Sequence, residues 1–421
     1  MGDFGSRPSL IAGFVLAILG TLGAASWSLA VGGRGYQPGH TVTAADPRGE
    51  PAAVTELVQT ASSRFVYPGR LNLDWPSSGS AAIEVEGMGL LGHSGSMTAR
   101  RAIASIAKTM TAYVILRDHP LTATSSGPTI TLSKAMAETY SAAIAADESA
   151  VETDPGERIT ERQALEALLL ASAGNMADIL AMWDRGSVGA FLTEMNQEAR
   201  TLGLTGTNYT DPAGLAYSTV STMADLLKLA EAVQPAPAMT TIVAEDSAVI
   251  PVAGTIYNVN RDLGSYGIDG IKTGTTAAAG SCLLFSAHIT VGSHRLTILG
   301  VVLGMPGSSG VPYTALNAAK ALVASAESQI GQATVAPTGR SVAALEQDGT
   351  KVAELGVADG LAVVGWPGLD YRVRIGGGPS AATLGVTQTG GSSPSVSIPL
   401  LRLATRSTAA RKATAKRLMR G

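Results

Sequence analysis

The chain has 421 residues, of which 45% are hydrophobic, 15% charged and 5% aromatic. This composition excludes a wholly disordered chain. The length is enough for about two or three domains. The 30 Lys and Arg side chains and 33 Asp and Glu side chains leave a formal net charge of -3, without the basic field that binds nucleic acid, so DNA and RNA are excluded as partners. A single cysteine and 5 scattered histidines exclude a disulfide framework and give no metal-ligand spacing, so neither a metal nor another cofactor is predicted.

The N-terminal segment predicts export. Residues 8–33 carry no charged side chain, and about 20 apolar residues can cross a bilayer as a helix. We therefore predict a signal anchor or transmembrane helix over residues 1–33, followed over residues 34–51 by a linker rich in glycine and small polar residues. Cleavage as a secretory signal, after the small residues 28–30, is the alternative. Both interpretations place the rest of the chain outside the cytoplasm.

Helices are predicted between an early hairpin and a late set of strands. The hairpin covers residues 81–91, and a helix follows over residues 105–116. Thr160 and Gln163 form a predicted capping box at the start of another helix. The same periodicities predict helices at residues 176–183, 188–202 and 222–233, and strands at 270–276, 281–291 and 295–303. The pattern indicates helices inserted into a sheet that the last strands complete.

The last part of the chain predicts a small separate domain and a tail. A hinge of proline and glycine at residues 334–340 precedes short strand-like segments that are separated by turns. We predict a main domain over residues 52–332, a β-rich accessory module over residues 333–400 and a basic tail over residues 401–421. The tail has no acidic side chain. It is predicted to be solvated, and contact with an anionic surface is the alternative.

Ser105 and Lys108 form the first candidate catalytic pair. They lie three residues apart at the start of a predicted helix, so both side chains project from one face. A lysine that is withdrawn from water has a lowered pKa and can take the proton of a neighbouring serine as a general base. An ordinary serine and lysine on a surface helix are the alternative.

A predicted strand offers the chemistry of a carboxylate site. Lys272 supplies a cation, Thr273 and Thr275 supply hydroxyl donors, and Gly274 allows a substrate backbone to approach closely. An edge strand can also bind an extended peptide as an additional strand. Ser172 lies in a loop of small residues between two predicted helices, from which it can be directed at the same cleft.

The three segments resemble, in this order, the S-x-x-K, S-x-N and K-T-G motifs of the penicillin-binding serine enzymes. Residues 52–332 as a whole are similar to the low-molecular-mass D-alanyl-D-alanine carboxypeptidases. The resemblance implies an α+β fold of the β-lactamase/transpeptidase type. In it a five-stranded antiparallel sheet is flanked by helices, with a helical subdomain, a small C-terminal β module and the N-terminal membrane helix.

The resemblance also implies a reaction and partners. The enzyme would remove the terminal D-alanine of a peptidoglycan stem peptide and would be inhibited by β-lactams. It would be anchored in a bacterial cell membrane by a single helix, with the catalytic domain outside the cytoplasm, or be secreted after signal cleavage. The residue roles that follow are nucleophile for Ser105, general base for Lys108, proton transfer to the leaving amine for Ser172, and substrate binding for Lys272, Thr273, Gly274 and Thr275. The backbone N–H groups of Ser105 and Thr275 would form the oxyanion hole.

One position departs from the family pattern. The middle motif requires an asparagine two residues after Ser172, and Gly174 stands there. In the family this asparagine holds the substrate amide and helps to fix the lysine of the first motif, so its loss would weaken acylation. Asn175 is predicted to supply the missing amide as a substrate-binding residue if the loop shifts, and capping of the following helix is its alternative role.

Two rival functions are left open. Gly174 also fits a catalytically impaired homologue that binds peptidoglycan or a protein through its cleft. A β-lactamase would need a deacylating base close to the middle motif. Glu166 precedes that motif, but its apolar helix favours a solvated helical face over a catalytic role.

Overall fold

The computed structural model describes residues 55–307, 312–392 and 395–403. These residues belong to one compact unit, Thr55–Gly421. The predicted membrane helix, the linker and all but the first three residues of the basic tail lie outside the described residues. Within the described part of the chain, no helix has the length and apolar character needed to cross a membrane.

Eight α-helices are present in the described ranges, and most of them lie between the early and late strands of the central sheet. A 3-10 helix at Ala104–Ala107 leads directly into the first of them. The helices are α1 Lys108–Asp118, α2 Lys134–Ala145, α3 Glu161–Leu169, α4 Gly174–Arg185, α5 Val188–Thr201, α6 Met223–Val233, α7 Pro237–Val243 and α8 Tyr313–Glu327.

The strands fall into one central sheet, one C-terminal sheet and several two-stranded ribbons. The early strands are β1 Thr55–Gln59, β2 Arg64–Val66, β3 Ser80–Val85, β4 Gly89–Ser94, β5 Arg101–Ala102, β6 Thr129–Thr131, β7 Arg158–Thr160, β8 Val220–Ser221, β9 Ser247–Ile250 and β10 Gly254–Tyr257. The late strands are β11 Ile268–Thr276, β12 Gly280–Val291, β13 His294–Met305, β14 Gly331–Ala336, β15 Ser341–Gln347, β16 Thr350–Val357, β17 Leu361–Gly365, β18 Asp370–Gly376, β19 Thr383–Gln388 and β20 Val396–Arg402.

The central sheet has five antiparallel strands in the order β11-β12-β13-β3-β4. Alternate residues of β12 face opposite sides, so Leu284 packs into the core shared with the helices, while Leu283 and Phe285 pack into the core shared with α8. The α+β class is therefore confirmed, and the late predicted strands correspond to β11, β12 and β13. Strand β11 lies at the edge of the sheet, where its outer backbone is available to a ligand.

Helix α3 begins at a capping box that the sequence predicted. Thr160 accepts a hydrogen bond from the backbone N–H of Gln163, and the Gln163 side chain accepts one from the backbone N–H of Thr160. Helix α3 follows and carries buried Leu165 and Leu168 into the core beneath the predicted site. The box fixes where α3 starts and therefore helps to set where the loop after it begins.

We expect Thr160→Ala to lower the free energy of unfolding by about 1 kcal/mol, because the substitution removes the cap of a buried helix. Chemical denaturation of the purified variant and the parent protein measures the difference. An unchanged midpoint and slope would mean that the box contributes nothing in this context.

The C-terminal sheet includes two strands that lie outside the predicted accessory module of residues 333–400. Its seven strands follow the order β1-β15-β16-β20-β19-β18-β2, so the first two strands of the described chain belong to it. Leu57 of β1, for example, lies opposite Leu345 of β15. The sequence placed residues 55–66 in the main domain because the pattern of a short strand does not reveal its partner.

Candidate active site

The predicted nucleophile Ser105 lies in the 3-10 helix at the start of α1, on a tightly constrained backbone. The preceding residue, Ala104, has a φ of 47°, a conformation that L-residues rarely adopt. A Cβ atom on Gly274 of β11 would lie 2.9 Å from the backbone nitrogen of Ser105. Glycine at this position therefore allows the edge strand to approach the serine closely.

Lys108 lies one turn after Ser105 and is almost completely buried. Its Nζ atom is 2.9 Å from Ser105 Oγ and 2.9 Å from the carbonyl oxygen of Ala213. Burial lowers the pKa of Lys108 to about 8, against the opposing effect of nearby carboxylates, of which Glu148 is the strongest. The amine is thus held against the serine hydroxyl with a pKa suited to accept its proton.

The loop that supplies Ala213 is fixed on both sides. Thr111 of α1 donates a hydrogen bond of 2.7 Å to the carbonyl oxygen of Pro212. Gly214 has a φ of 81°, and a Cβ atom there would lie 1.9 Å from the carbonyl oxygen of Ala104. Glycine at position 214 allows the loop to lie directly against the segment that carries Ser105. The loop can then present the Ala213 carbonyl group to Lys108.

Ser172 is brought to the same cleft by the turn between α3 and α4. Its backbone has a φ of 60°, and the residue is 7% exposed. A left-handed conformation at a serine is strained and is maintained only where the surrounding structure enforces it. Here it directs Ser172 into a cleft of about 620 Å³ that Ser105 also lines.

Strand β11 forms the opposite wall of that cleft. Thr273, Gly274 and Thr275 line it, and the buried Thr275 Oγ1 has no hydrogen-bond partner among the described residues. An unpaired buried hydroxyl is costly, so Thr275 Oγ1 has an unmet hydrogen-bonding capacity in the wall of the cleft. The three β11 residues that were predicted to bind substrate together with Lys272 therefore line the cleft.

Lys272 lies beneath the cleft wall. It is 2% exposed, and its ammonium donates a hydrogen bond of 3.1 Å to the carbonyl oxygen of Thr273. Burial and the nearby charge of Lys108 lower the pKa of Lys272 well below its ordinary value. The sequence expected a fixed cation in the cleft, whereas the structure places this amine beneath the cleft wall, where burial disfavours its charged form.

Asn175 is directed away from the cleft, which corrects its predicted role. Its Oδ1 accepts a hydrogen bond from the backbone N–H of Val151, and its Nδ2 donates one to the carbonyl oxygen of the same residue. Both amide atoms are thus used to hold the segment before the middle motif. The helix-capping alternative is also wrong, because α4 begins at Gly174 after Ala173, without a side-chain cap.

The sequence suggested that Glu166 lies on a solvated helical face, but in the structure this residue is buried. It is 8% exposed and forms an ion pair of 2.8 Å with Arg162 one turn earlier in α3. Arg162 also pairs with Glu245, so Glu166 belongs to a structural network of charges. This pairing offers no support for a deacylating role.

The structure adds groups that the sequence analysis missed. Glu148 lines the cleft and lies 3.9 Å from Lys108 Nζ. Asp178 and Asp211 also act on the charge of Lys108, and burial raises the pKa of Asp178 to about 6. Asp211 lies within residues 52–332, the region that resembles the carboxypeptidase family, and could have been considered on that ground. Glu148 lies in none of the three motifs, so the sequence gave no indication of its place in the cleft.

This geometry combines a serine beside a buried amine, a second serine on a strained turn, and an edge strand with one unpaired hydroxyl group. A profile of the D-alanyl-D-alanine carboxypeptidase family, peptidase family S11, matches residues 84–307. The chain belongs to this family.

Individual relatives agree over shorter regions. The chain is 36% identical over 166 residues to D-alanyl-D-alanine carboxypeptidase DacB2 of Mycobacterium tuberculosis, covering 38% of this chain and 56% of the relative. It is 32% identical over 198 residues to the D-alanyl-D-alanine endopeptidase of Escherichia coli, covering 45% of this chain and 60% of the relative. The matches thus span somewhat more than half the length of these two relatives.

Solved structures share the fold. The Streptomyces K15 DD-transpeptidase superposes with a TM-score of 0.51 at 27% identity, covering 62% of this chain and 98% of that structure. Penicillin binding protein 5 of Haemophilus influenzae superposes with a TM-score of 0.54, covering 80% of this chain and 98% of that structure. At 19% identity the second likeness concerns the fold alone.

Proposed function

We propose that the chain is a serine-type D-alanyl-D-alanine carboxypeptidase that acts on peptidoglycan stem peptides through an acyl-enzyme on Ser105. The observation that carries the proposal is the 2.9 Å contact between Lys108 Nζ and Ser105 Oγ, at a cleft whose other wall is the edge strand β11. Membership of the family supports the same reaction.

In the proposed acylation step, Lys108 takes the proton of Ser105 while Oγ attacks the carbonyl carbon between the two terminal D-alanines. The negative charge that develops on the carbonyl oxygen would be stabilised by the backbone N–H groups of Ser105 and Thr275. Ser172 would pass a proton to the departing nitrogen as the C–N bond breaks and D-alanine leaves, and it would regain a proton from the Lys108 ammonium. Water would then hydrolyse the ester and restore the serine.

The terminal carboxylate would bind along β11. The free Thr275 hydroxyl and that of Thr273 are suitable donors, and Gly274 would allow the peptide backbone to approach. A carboxylate placed near Lys272 would raise the pKa of its amine again, so binding would be coupled to uptake of a proton. β-lactams, which mimic the D-alanyl-D-alanine terminus, would acylate the same serine.

We further propose that the enzyme acts outside the cytoplasm. The support is the cell-wall substrate of the family together with the uncharged residues 8–33, which would serve as a single membrane anchor or as a cleaved signal.

The proposal is tested with the full chain, purified in detergent. We expect a fluorescent penicillin to form an adduct that mass spectrometry locates on Ser105, and D-alanine to be released from a pentapeptide ending in D-Ala-D-Ala. Ser105→Ala should show neither. A folded parent protein that forms no adduct and releases no D-alanine would overturn the proposal and favour the impaired homologue that Gly174 suggests. Rapid turnover of the penicillin would instead favour a β-lactamase.

A further inference from the structure

The space next to Gly174, where the motif asparagine would project, is already filled. A Cβ atom on Gly174 would lie 1.7 Å from Glu148 Oε1 and 2.0 Å from its Cδ. No side chain longer than hydrogen fits at position 174 while Glu148 keeps this conformation. The carboxylate of Glu148 therefore occupies the place from which the family's asparagine acts.

The end of helix α2 fixes Glu148 in this place. Asp147 has a φ of 54°, and its backbone N–H bonds to the carbonyl oxygen of Ile144. The backbone N–H of Glu148 donates a hydrogen bond to the carbonyl oxygen of Ala143. These two hydrogen bonds form a Schellman motif, which ends the helix and sets the direction of the chain that follows.

The chain after Glu148 is then attached to α4. The N–H of Gly174 donates a hydrogen bond of 2.6 Å to the carbonyl oxygen of Ser149. Asn175 holds the backbone of Val151 through both of its amide atoms. Glu148 thus lies between two anchored points and does not extend from a free loop.

The carboxylate faces the amine of the first motif. Glu148 Oε1 lies 3.9 Å from Lys108 Nζ and has no hydrogen-bond partner within the described ranges. An ammonium has three donors, and two of those of Lys108 face Ser105 Oγ and the Ala213 carbonyl oxygen. Glu148 is the acidic side chain within ion-pair distance of the third.

We propose that Glu148 replaces the missing motif asparagine as the residue that positions Lys108 against Ser105. This inference rests on the proposed function, because Lys108 is taken there as the base. Glu148 acts through Lys108 and is a positioning residue. A carboxylate accepts hydrogen bonds, as the asparagine oxygen does, and adds a negative charge that the family's amide lacks.

The first test measures acylation of Ser105 by the fluorescent penicillin. We expect Glu148→Ala to slow acylation by roughly 10- to 100-fold, because the ion pair that holds Lys108 against Ser105 is lost and a 1 Å misplacement of a catalytic group can cost about 100-fold. Glu148→Ala combined with Gly174→Asn should recover much of that loss, because the asparagine then fills the vacated space. If both variants acylate at the parent rate, or only deacylation slows, Glu148 does not position Lys108.

The second test separates the charge of Glu148 from its shape through the pH profile of acylation. The charged groups that act on Lys108 are Glu148, Asp211 and Asp178, and the charge of Lys108 acts in turn on the amine of Lys272. We expect Glu148→Gln to stay within a few-fold of the parent rate while its profile moves to lower pH, since one charge that favours the Lys108 ammonium is removed. Glu152→Gln, an equal change of charge at an exposed residue of the same segment, should leave the profile unmoved. Equal profiles for both variants would contradict the proposal.

The third test needs no enzymatic activity. We expect Gly174→Ala to change the melting temperature of the parent protein less favourably than that of Glu148→Ala, because only in the parent must the new methyl group displace the Glu148 carboxylate. In the Glu148→Ala background the same substitution should raise the melting temperature, since alanine is the better residue in a helix. Additive shifts would show that Glu148 does not fill this space, even if the parent protein forms no adduct and the proposed function fails.

Discussion

Replacing Lys108 with methionine is expected to lower the rate of Ser105 acylation by roughly 10²- to 10⁴-fold, the range for loss of a general base. Methionine keeps the length of the buried side chain and removes the amine, so little cavity is created. Lys108 Nζ lies 2.9 Å from Ser105 Oγ, within the distance needed to accept the serine proton. Stopped-flow measurement with the fluorescent penicillin gives the rate.

The pH dependence of the parent protein supplies a second readout of the same residue. The pKa of Lys108 is lowered to about 8 by burial, so the fraction of neutral amine rises as the pH increases through that value. Acylation should therefore accelerate with rising pH over the same interval, and the acceleration should be absent in Lys108→Met. Lys134→Ala, at an exposed lysine on α2, is the matched control and should keep both rate and profile. A Lys108→Met protein that acylates at the parent rate would remove Lys108 from the mechanism.

Replacing Gly214 with alanine is expected to impair stability and acylation together. The new Cβ atom would lie 1.9 Å from the carbonyl oxygen of Ala104, at a φ of 81° that alanine disfavours. Backbone strain and overpacking together should cost about 2 to 5 kcal/mol of the free energy of unfolding. The loop must also move, which shifts the Ala213 carbonyl oxygen away from Lys108 and should slow acylation by roughly tenfold or more.

Gly254→Ala separates the two contributions. Gly254 has a φ of 70° at the start of β10, and no atom lies within 4 Å of its added Cβ. The substitution should cost about 1 to 2 kcal/mol from backbone strain alone and leave acylation unchanged. Chemical denaturation and the penicillin assay, applied to both variants, give the comparison. Equal effects of the two substitutions would mean that the close approach of Gly214 to Ala104 is unimportant.

The sequence predicted the parts of the site that depend on local pattern. Ser105 and Lys108 share a helix face, and β11 carries alternating residues, so their chemistry could be inferred from spacing and periodicity. Ser172 lay in a loop of small residues between two helices, and the structure has it on the turn between α3 and α4. The capping box at Thr160 was also predicted, because both of its partners lie within one turn.

The errors concern contacts between distant segments and the direction of single side chains. Helix α2 was not predicted, so nothing indicated that Glu148 would lie next to Gly174. Asn175 follows the motif position by one residue, and on a helix one residue rotates a side chain by about 100°, which turns it towards Val151. The burial of Lys272 depends on the packing of several elements, and a motif does not carry that information.

The pairing of β1 with β15 joins two segments that are far apart in the chain, and this separation constrains folding. Strands β1 and β2 are made before all other described strands, whereas their sheet partners β15 and β18 are made late. The polypeptide from β3 to α8 holds all five strands of the central sheet, together with Ser105, Ser172 and β11. All strands of the central sheet are thus available before the C-terminal strands, whereas the C-terminal sheet can close only when the chain through residue 402 is available. A chain that stops early would leave two strands without partners and exposed to aggregation.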